Sequence, residues 1–371
     1  MERLLLVDGN NLALRSAHAF NLSVNMTDFS KPFNPDDVMD NSNVFPTGVL
    51  HGFFKSILAM RGHFPEHYIA VVWDGGNGRR IDRTIPEVEK GLIPEVYKFN
   101  RKKKPPSPQI LAFKQQKGVL QEAISMTNIP QIRVVGEEAD DVIASYVKMY
   151  SERGTKIIVS TNDKDYYQLF GENVMLLRGD DLRDLTWFRQ EYGIAPSQWI
   201  DAGALSGDTG DNIFGVPSWG EVTSLRAIRE HESMEGVLKH LNDKHAALRV
   251  KFPDTDEVVE ELLKVATPSG KQKYPGILAG MPFTGVAYAL EHKKCKIPKT
   301  DLMAIMFEER ARLAFELKAM YCTLDIPELP MWDRDLTVQF SEFCETYALN
   351  EVRAQAPAVC ASQIQAVPVT V

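Results

Sequence analysis

Acidic side chains recur in tight groups along this 371-residue chain: Asp8, Asp74, Glu137-Glu138-Ala139-Asp140-Asp141, Asp163-Lys164-Asp165 and Asp208-Thr209-Gly210-Asp211. Taken singly, each fits the ordinary use of Asp at helix caps and turns. Gathered in one place they could not all stay ionised, because at ~4 Å and an effective dielectric of ~20 each like-charged pair costs about 4 kcal/mol. Such a cluster calls for cations. Oxygen donors without His or Cys suit hard ions such as Mg²⁺ or Mn²⁺. Several acids around two such ions can activate water and stabilise the leaving oxygen in phosphodiester hydrolysis.

The elements that would position these acids are legible as short β-rich runs at Leu4 to Val7, Tyr68 to Trp73, Ile132 to Val135, Ile157 to Ser160 and Val174 to Leu177. Helical patterns separate them, at Gly48 to Met60, Phe113 to Met126 and Asp140 to Tyr150. This alternation predicts an α/β domain over residues 1–190, with a parallel sheet covered on both faces. In an open parallel sheet, the residues just beyond the strand carboxyl ends share one crevice. Asp8, Asp74, Glu138 to Asp141 and Asp163 to Asp165 all occupy such positions. From about residue 190 the pattern turns helical: a small module over 196–245, an irregular stretch over 245–305, and an amphipathic helix over 302–322. The tail after Ala354, rich in Ala, Pro, Val and Gln, reads as poorly ordered.

Composition narrows the classes. With 44% apolar and 25% charged residues, the chain has enough apolar side chains for a core and is not of the disordered type. No run approaches ~18 consecutive apolar residues, so no membrane partner and a cytoplasmic setting are expected. Four cysteines without a Cys-x-x-Cys pair provide neither a disulfide framework nor a zinc site. There is no phosphate-binding Gly-x-x-x-x-Gly-Lys-Ser/Thr loop and no dinucleotide fingerprint. The net charge of −8 argues on its face against nucleic acid. Residues 79–117 are the exception: eleven basic against four acidic side chains make that segment +7 and leave −15 elsewhere. Its place directly after Asp74 favours phosphate contact over a merely solvated face.

Six blocks, in order, resemble those of the 5′-nuclease superfamily, which includes the 5′→3′ exonuclease domain of bacterial DNA polymerase I and the phage flap endonucleases. They are Val7-Asp8-Gly9-Asn10-Asn11, Val72-Trp73-Asp74-Gly75, Tyr97-Lys98-Phe99-Asn100-Arg101, Glu138-Ala139-Asp140-Asp141, Thr161-Asn162-Asp163-Lys164-Asp165 and Gly207-Asp208-Thr209-Gly210-Asp211-Asn212. The resemblance covers about residues 1–240. It implies a PIN-like, mostly parallel sheet with helices on both faces, a helical arch over 79–117, and a helical helix-hairpin-helix subdomain within 191–330. Residues 245–305 would be an insertion in it, and 331–371 a partly disordered C-terminal extension.

By the same resemblance, Asp8, Asp74, Glu138 and Asp140, with Asp141 beside them, surround a first Mg²⁺, and Asp163, Asp165, Asp208 and Asp211 surround a second; Mn²⁺ could substitute. Lys98 and Arg101 would meet the scissile phosphate and act in catalysis with Asp140 and Asp141. Arg79, Arg80 or Arg83, together with Lys102, Lys103 and Lys104, would hold DNA in the arch, where Tyr97 could stack on an unpaired base. Gly215, Val216, Gly220 and Thr223 match the hairpin that approaches duplex phosphates, often through K⁺. Val222 stands where the family has Lys, and Asn162 where it has Gly. The implied activity is a metal-dependent 5′ nuclease acting, as a monomer, on flapped, nicked or RNA-primed DNA in replication or repair. A PIN-type ribonuclease and a non-catalytic branched-DNA binder are the rival readings.

Overall fold

A computed structural model describes residues 1–20, 22–25, 44–103, 105–245 and 298–364. Lys104, most of the 245–305 segment and residues 365–371 lie outside the described residues, so the expectations placed on them are not addressed by it. The chain runs β1 (Arg3–Asp8), α1 (Gly9–Ala19), β2 (Ser23–Asn25), β3 (Val44–Pro46), α2 (Gly48–His63), β4 (Tyr68–Trp73), α3 (Gly78–Glu89), α4 (Pro108–Ser125) and β5 (Gln131–Arg133). It continues through α5 (Ala139–Ser151), β6 (Lys156–Ser160), β7 (Val174–Arg178) and β8 (Asp181–Arg183).

Six strands form one sheet in the order β5-β4-β1-β6-β7-β8. The first five run parallel, and only β8 pairs antiparallel, with β7. From β1 the chain steps outward to β4 and β5, then returns to β6 on the other side of β1. This reversal opens a crevice at the carboxyl ends of β1 and β6. Strand alternation feeds two cores. Leu4, Leu6, Ala70 and Val72 face one cluster with α5, whereas Leu5, Val7, Val71 and Trp73 face the other with α1, α2 and α4.

Beyond the sheet come α6 (Leu185–Tyr192), α7 (Gln198–Ser206), α8 (Glu221–His231), α9 (Met234–Lys244), α10 (Lys299–Met306) and α11 (Glu308–Lys318). These share the core of the α5 face. The single helix expected over 302–322 is two helices meeting at Phe307, and the second ends at Lys318. The strand expected to reach Val135 ends at Arg133, leaving Val135 83% exposed.

The tail also departs from expectation. α12 (Thr337–Thr346), α13 (Asn350–Arg353) and α14 (Ala356–Cys360) pack on the opposite core, burying Phe340, Val352, Val359 and Cys360. Gln363 completes the docking: its Oε1 accepts from Ile69 N at 2.7 Å and its Nε2 donates to Asn128 O at 2.8 Å. The apolar spacing was present in the tail, but its Ala and Pro content masked it. Among the described residues, no helix is long and apolar enough to cross a membrane.

Candidate active site

Each strand end at the crevice delivers an acid for a local reason. Asp8 ends β1 and caps α1, accepting from Asn11 N at 3.0 Å. It also accepts from the Thr161 hydroxyl at 3.2 Å, across the crevice from β6. Asp74 follows β4 and accepts from Ala139 N at 2.9 Å, so one strand end anchors the amino terminus of α5. Asn10 Nδ2 donates to the same carboxylate. Glu138, Asp140 and Asp141 occupy the cap and first turn of α5. Asp163 caps the 3₁₀ turn Lys164–Leu169, accepting from Asp165 N at 2.9 Å.

The fold thus draws residues from five distant segments to one rim, and two electrostatic groups result. In the first are Asp8, Asp74, Asp140 and Asp163, whose charges converge on the buried Tyr166 and push its hydroxyl up in concert with burial. Burial, reinforced by Asp74 and Asp163, raises Asp8 to about 7 against the opposing hydrogen bond from Asn11. Burial also drives Asp140 well up, opposed by Arg80. Among the described residues, Asp8, Asp74 and Asp163 form no ion pair within 4.0 Å, and Asp140 has only Arg80, at 3.8 Å.

In the second group the chain supplies its own cations. Arg80 is buried and forks onto Asp141 at 2.7 and 2.9 Å while donating to Glu138 at 2.7 Å. Lys98 pairs with Glu138 and lies 3.4 Å from Asp211, and Arg101 pairs with Asp211. Lys318 donates to Asp165 at 2.5 Å and to Asp208 at 3.1 Å. Against the cost of burial, Lys318 and the amides of Gly210 and Asp211 hold the Asp208 carboxyl low. Burial nevertheless leaves Asp165 at about 6.

Several expectations are corrected by this arrangement. Arg80 is no arch contact for DNA, because its guanidinium is sealed among carboxylates and the carbonyls of Leu317 and Ala319. Tyr97 is 3% exposed, so its ring has no face free for a base. Its hydroxyl lies 3.1 Å from Glu138 Oε2 and 3.2 Å from Asp211 Oδ2 and serves this acid pair instead. Glu137 pairs with Arg79 at 2.5 Å, and Arg79 lies over the Tyr321 ring. Arg83 joins Glu316 and Glu87. Lys102 and Lys103 are exposed, the latter paired with Glu95.

In the hairpin, a Cβ on Gly215 would sit 2.3 Å from Gly207 N, so glycine there lets two loop backbones cross. Val216 is buried in the core. Gly220 opens toward free space at the start of α8, with Thr223 half-buried beside it. Gly215 and Val216 are therefore framework, and Gly220 is the position of the four left open.

Lys98 adopts a left-handed backbone with φ 56°, uncommon for a residue with a side chain. Its amide donates to Asp211 O at 2.9 Å, which ties the basic segment to the Asp208 loop and aims its ammonium at Glu138. Sequence reasoning missed Lys318 altogether. An isolated lysine at the end of a helix carries no signal of its own; only the docking of α11 brings it to the rim.

Comparison with known proteins agrees with this geometry. Residues 3–193 match the family described as 5′-3′ exonuclease, N-terminal resolvase-like domain, and residues 194–269 match 5′-3′ exonuclease, C-terminal SAM fold. The thermostable DNA polymerase I of Thermus thermophilus is 31% identical over 67% of the chain, which spans 26% of that polymerase. A 5′-3′ exonuclease of Aquifex aeolicus is 26% identical over 65% of the chain and 73% of its own length. The fold resembles the catalytic core of Rad2, solved in complex with DNA substrate, with TM-score 0.51 and 14% identity over 96% of this chain and 92% of that one. With its acidic rim on a mostly parallel sheet and its helical second region, the chain belongs to the 5′-3′ exonuclease family of the 5′-nuclease superfamily.

Proposed function

We propose that the protein is a divalent-metal-dependent 5′ nuclease that hydrolyses phosphodiester bonds where a 5′ single strand meets duplex DNA, including RNA-primed ends. The observation that carries this reading is the group Asp8, Asp74, Asp140 and Asp163 at the strand carboxyl ends: Asp8 buried, Asp74 and Asp140 half-buried and Asp163 exposed at the rim, three of them with no cation within ion-pairing reach among the described residues. Among the described residues, no three acids already stand at metal-ligand spacing. The donor chemistry nevertheless fits a hard cation, since it is all oxygen. Asn10 Oδ1, buried without a partner on a side chain that also reaches Asp74, adds a spare acceptor.

Asp8, Asp74, Asp140 and Asp163 would hold Mg²⁺, with Mn²⁺ as its substitute. When bound, the ion supplies a Lewis acid for the phosphate and lowers the pKa of water. The chain's own residues do the rest. Lys98 and Arg101, capping and within a second 3₁₀ turn, Phe99–Lys102, give the phosphate two positive groups, and Lys98 favours the charge that develops in the transition state. To do so they must exchange Glu138 and Asp211 for phosphate oxygens. Exposed Lys102 and the open backbone at Gly220 support further phosphate contacts.

The test is product-length analysis of a 5′-labelled flap with Mg²⁺, beside nicked duplex, blunt duplex and single-stranded RNA. Cleavage near the flap junction or at the 5′ end is expected. Asp140→Asn should lower turnover by about 10³-fold with the melting curve retained. Full activity of that variant, or cleavage restricted to single-stranded RNA, would overturn the proposal.

A further inference from the structure

We propose that Lys318 stands in for a second divalent ion, its ammonium taking the place between Asp165 and Asp208 that the family resemblance gives to metal. The inference rests on the nuclease reading above but departs from its two-ion form. Lys318 Nζ lies 2.5 Å from Asp165 Oδ1 and 3.1 Å from Asp208 Oδ2, and its side chain is 8% exposed. Both carboxylates thereby gain a buried counter-charge from α11, an element remote in sequence from either.

The placement is built from several sides. Arg80 donates to Leu317 O at 2.9 Å and Ala319 O at 3.2 Å, gripping the end of α11 while it holds Glu138 and Asp141. Gln168 closes the other side: its Nε2 donates to Lys318 O at 3.1 Å and its Oε1 accepts from Met320 N at 2.9 Å. On α7, Gly203 leaves room for the lysine stem, since a Cβ there would meet Lys318 Cε at 3.1 Å. Lys318 therefore arrives on a backbone fixed by Arg80 on one side and Gln168 on the other.

A tethered ammonium is present at every metal concentration. A divalent ion seeking the same two oxygens would need them at about 2.0–2.1 Å for Mg²⁺ and would meet a positive charge at close range. The two cannot share the site. Metal is left the group around Asp8, Asp74, Asp140 and Asp163, while Asp165 and Asp208 are held by lysine. Lys318 is thus a positioning residue that locks the 3₁₀ turn to the Asp208 loop.

Mn²⁺ binding to the full chain, counted by calorimetry and by loss of the free-ion paramagnetic resonance signal, tests this without reference to turnover. Lys318→Met keeps the stem and removes the charge, and it should bind one more Mn²⁺ per chain than the unaltered protein. Equal, non-zero counts and affinities would overturn the role of Lys318 and leave the metal-dependent reading intact. Failure of both proteins to bind Mn²⁺ would overturn both readings. Should Lys318→Met fail to melt cooperatively, Asp208→Asn decides: its Mn²⁺ count should equal that of the unaltered protein, and loss of one ion would overturn the inference.

Discussion

The two acidic groups of the rim lie side by side and are treated oppositely by the fold. Glu138, Asp141, Asp165, Asp208 and Asp211 each receive an arginine or lysine from the chain. Among the described residues, Asp8, Asp74 and Asp163 receive only neutral hydrogen-bond donors. The ion-paired group is architecture: it fastens α5, the basic segment, the Asp208 loop and α11 together. The other is left, among the described residues, with an electrostatic deficit that a bound cation would fill. Motif matching treats all nine acids alike, and their counter-ions separate them.

If the ion-paired group is architecture, breaking it should cost folding. Arg80→Met strands two buried carboxylates and should lower stability by about 3–5 kcal/mol, read as a fall in the denaturation midpoint. An unchanged midpoint would erase the distinction between the groups. If the group around Asp8 awaits a cation, the metal-free protein should gain when one of its charges is removed. Asp8, raised from 3.8 to about 7 by burial, contributes stability that is complete below pH 3.8 and lost as the pH rises through 7. In EDTA, Asp8→Asn should therefore overtake the unaltered protein by as much as ~4 kcal/mol between pH 4 and pH 8, and Mg²⁺ should narrow that lead. A gap independent of pH would show that Asp8 is already satisfied.

Lys98 lies at the boundary, paired with Glu138 yet facing the rim. Lys98→Ala should reduce flap turnover by about 10²-fold while shifting the melting temperature little, in contrast to Arg80→Met. The smallest effect is expected at Tyr97, where Phe keeps the buried ring and deletes one hydroxyl shared between Glu138 and Asp211. About 1 kcal/mol of stability should be lost, measurable by denaturant titration, with the products of cleavage unchanged. A changed flap cleavage position would instead restore Tyr97 to the DNA path.

Much of this was legible before any coordinates. β1, β4, β6 and β7 lie where their apolar runs are, because three to six consecutive apolar residues ended by Asp, Ser or Arg have few other uses in an α/β chain. The carboxylates after those strands follow from the topology rule alone. Less visible were the packed C-terminal helices, the break at Phe307, and the crossing of Gly207 with Gly215, each settled by contacts between remote segments. The basic segment shows the limit most clearly. Its +7 charge read as a uniform phosphate grip, yet Arg80 is a core ion-pair partner and only some of its neighbours reach solvent.

The net charge of −8 is itself a sum of these unequal parts. By itself the sequence determined the parallel sheet, the acids at its carboxyl rim and the family to which both belong, because strand periodicity and ordered motifs are local properties of the chain. Which acids are met by Arg80, Lys98 and Lys318, and which are left for a cation, was decided only by tertiary structure. A charge's partner is set by distance through space, and the residues that neutralise this rim come from as far as 153 positions away along the chain.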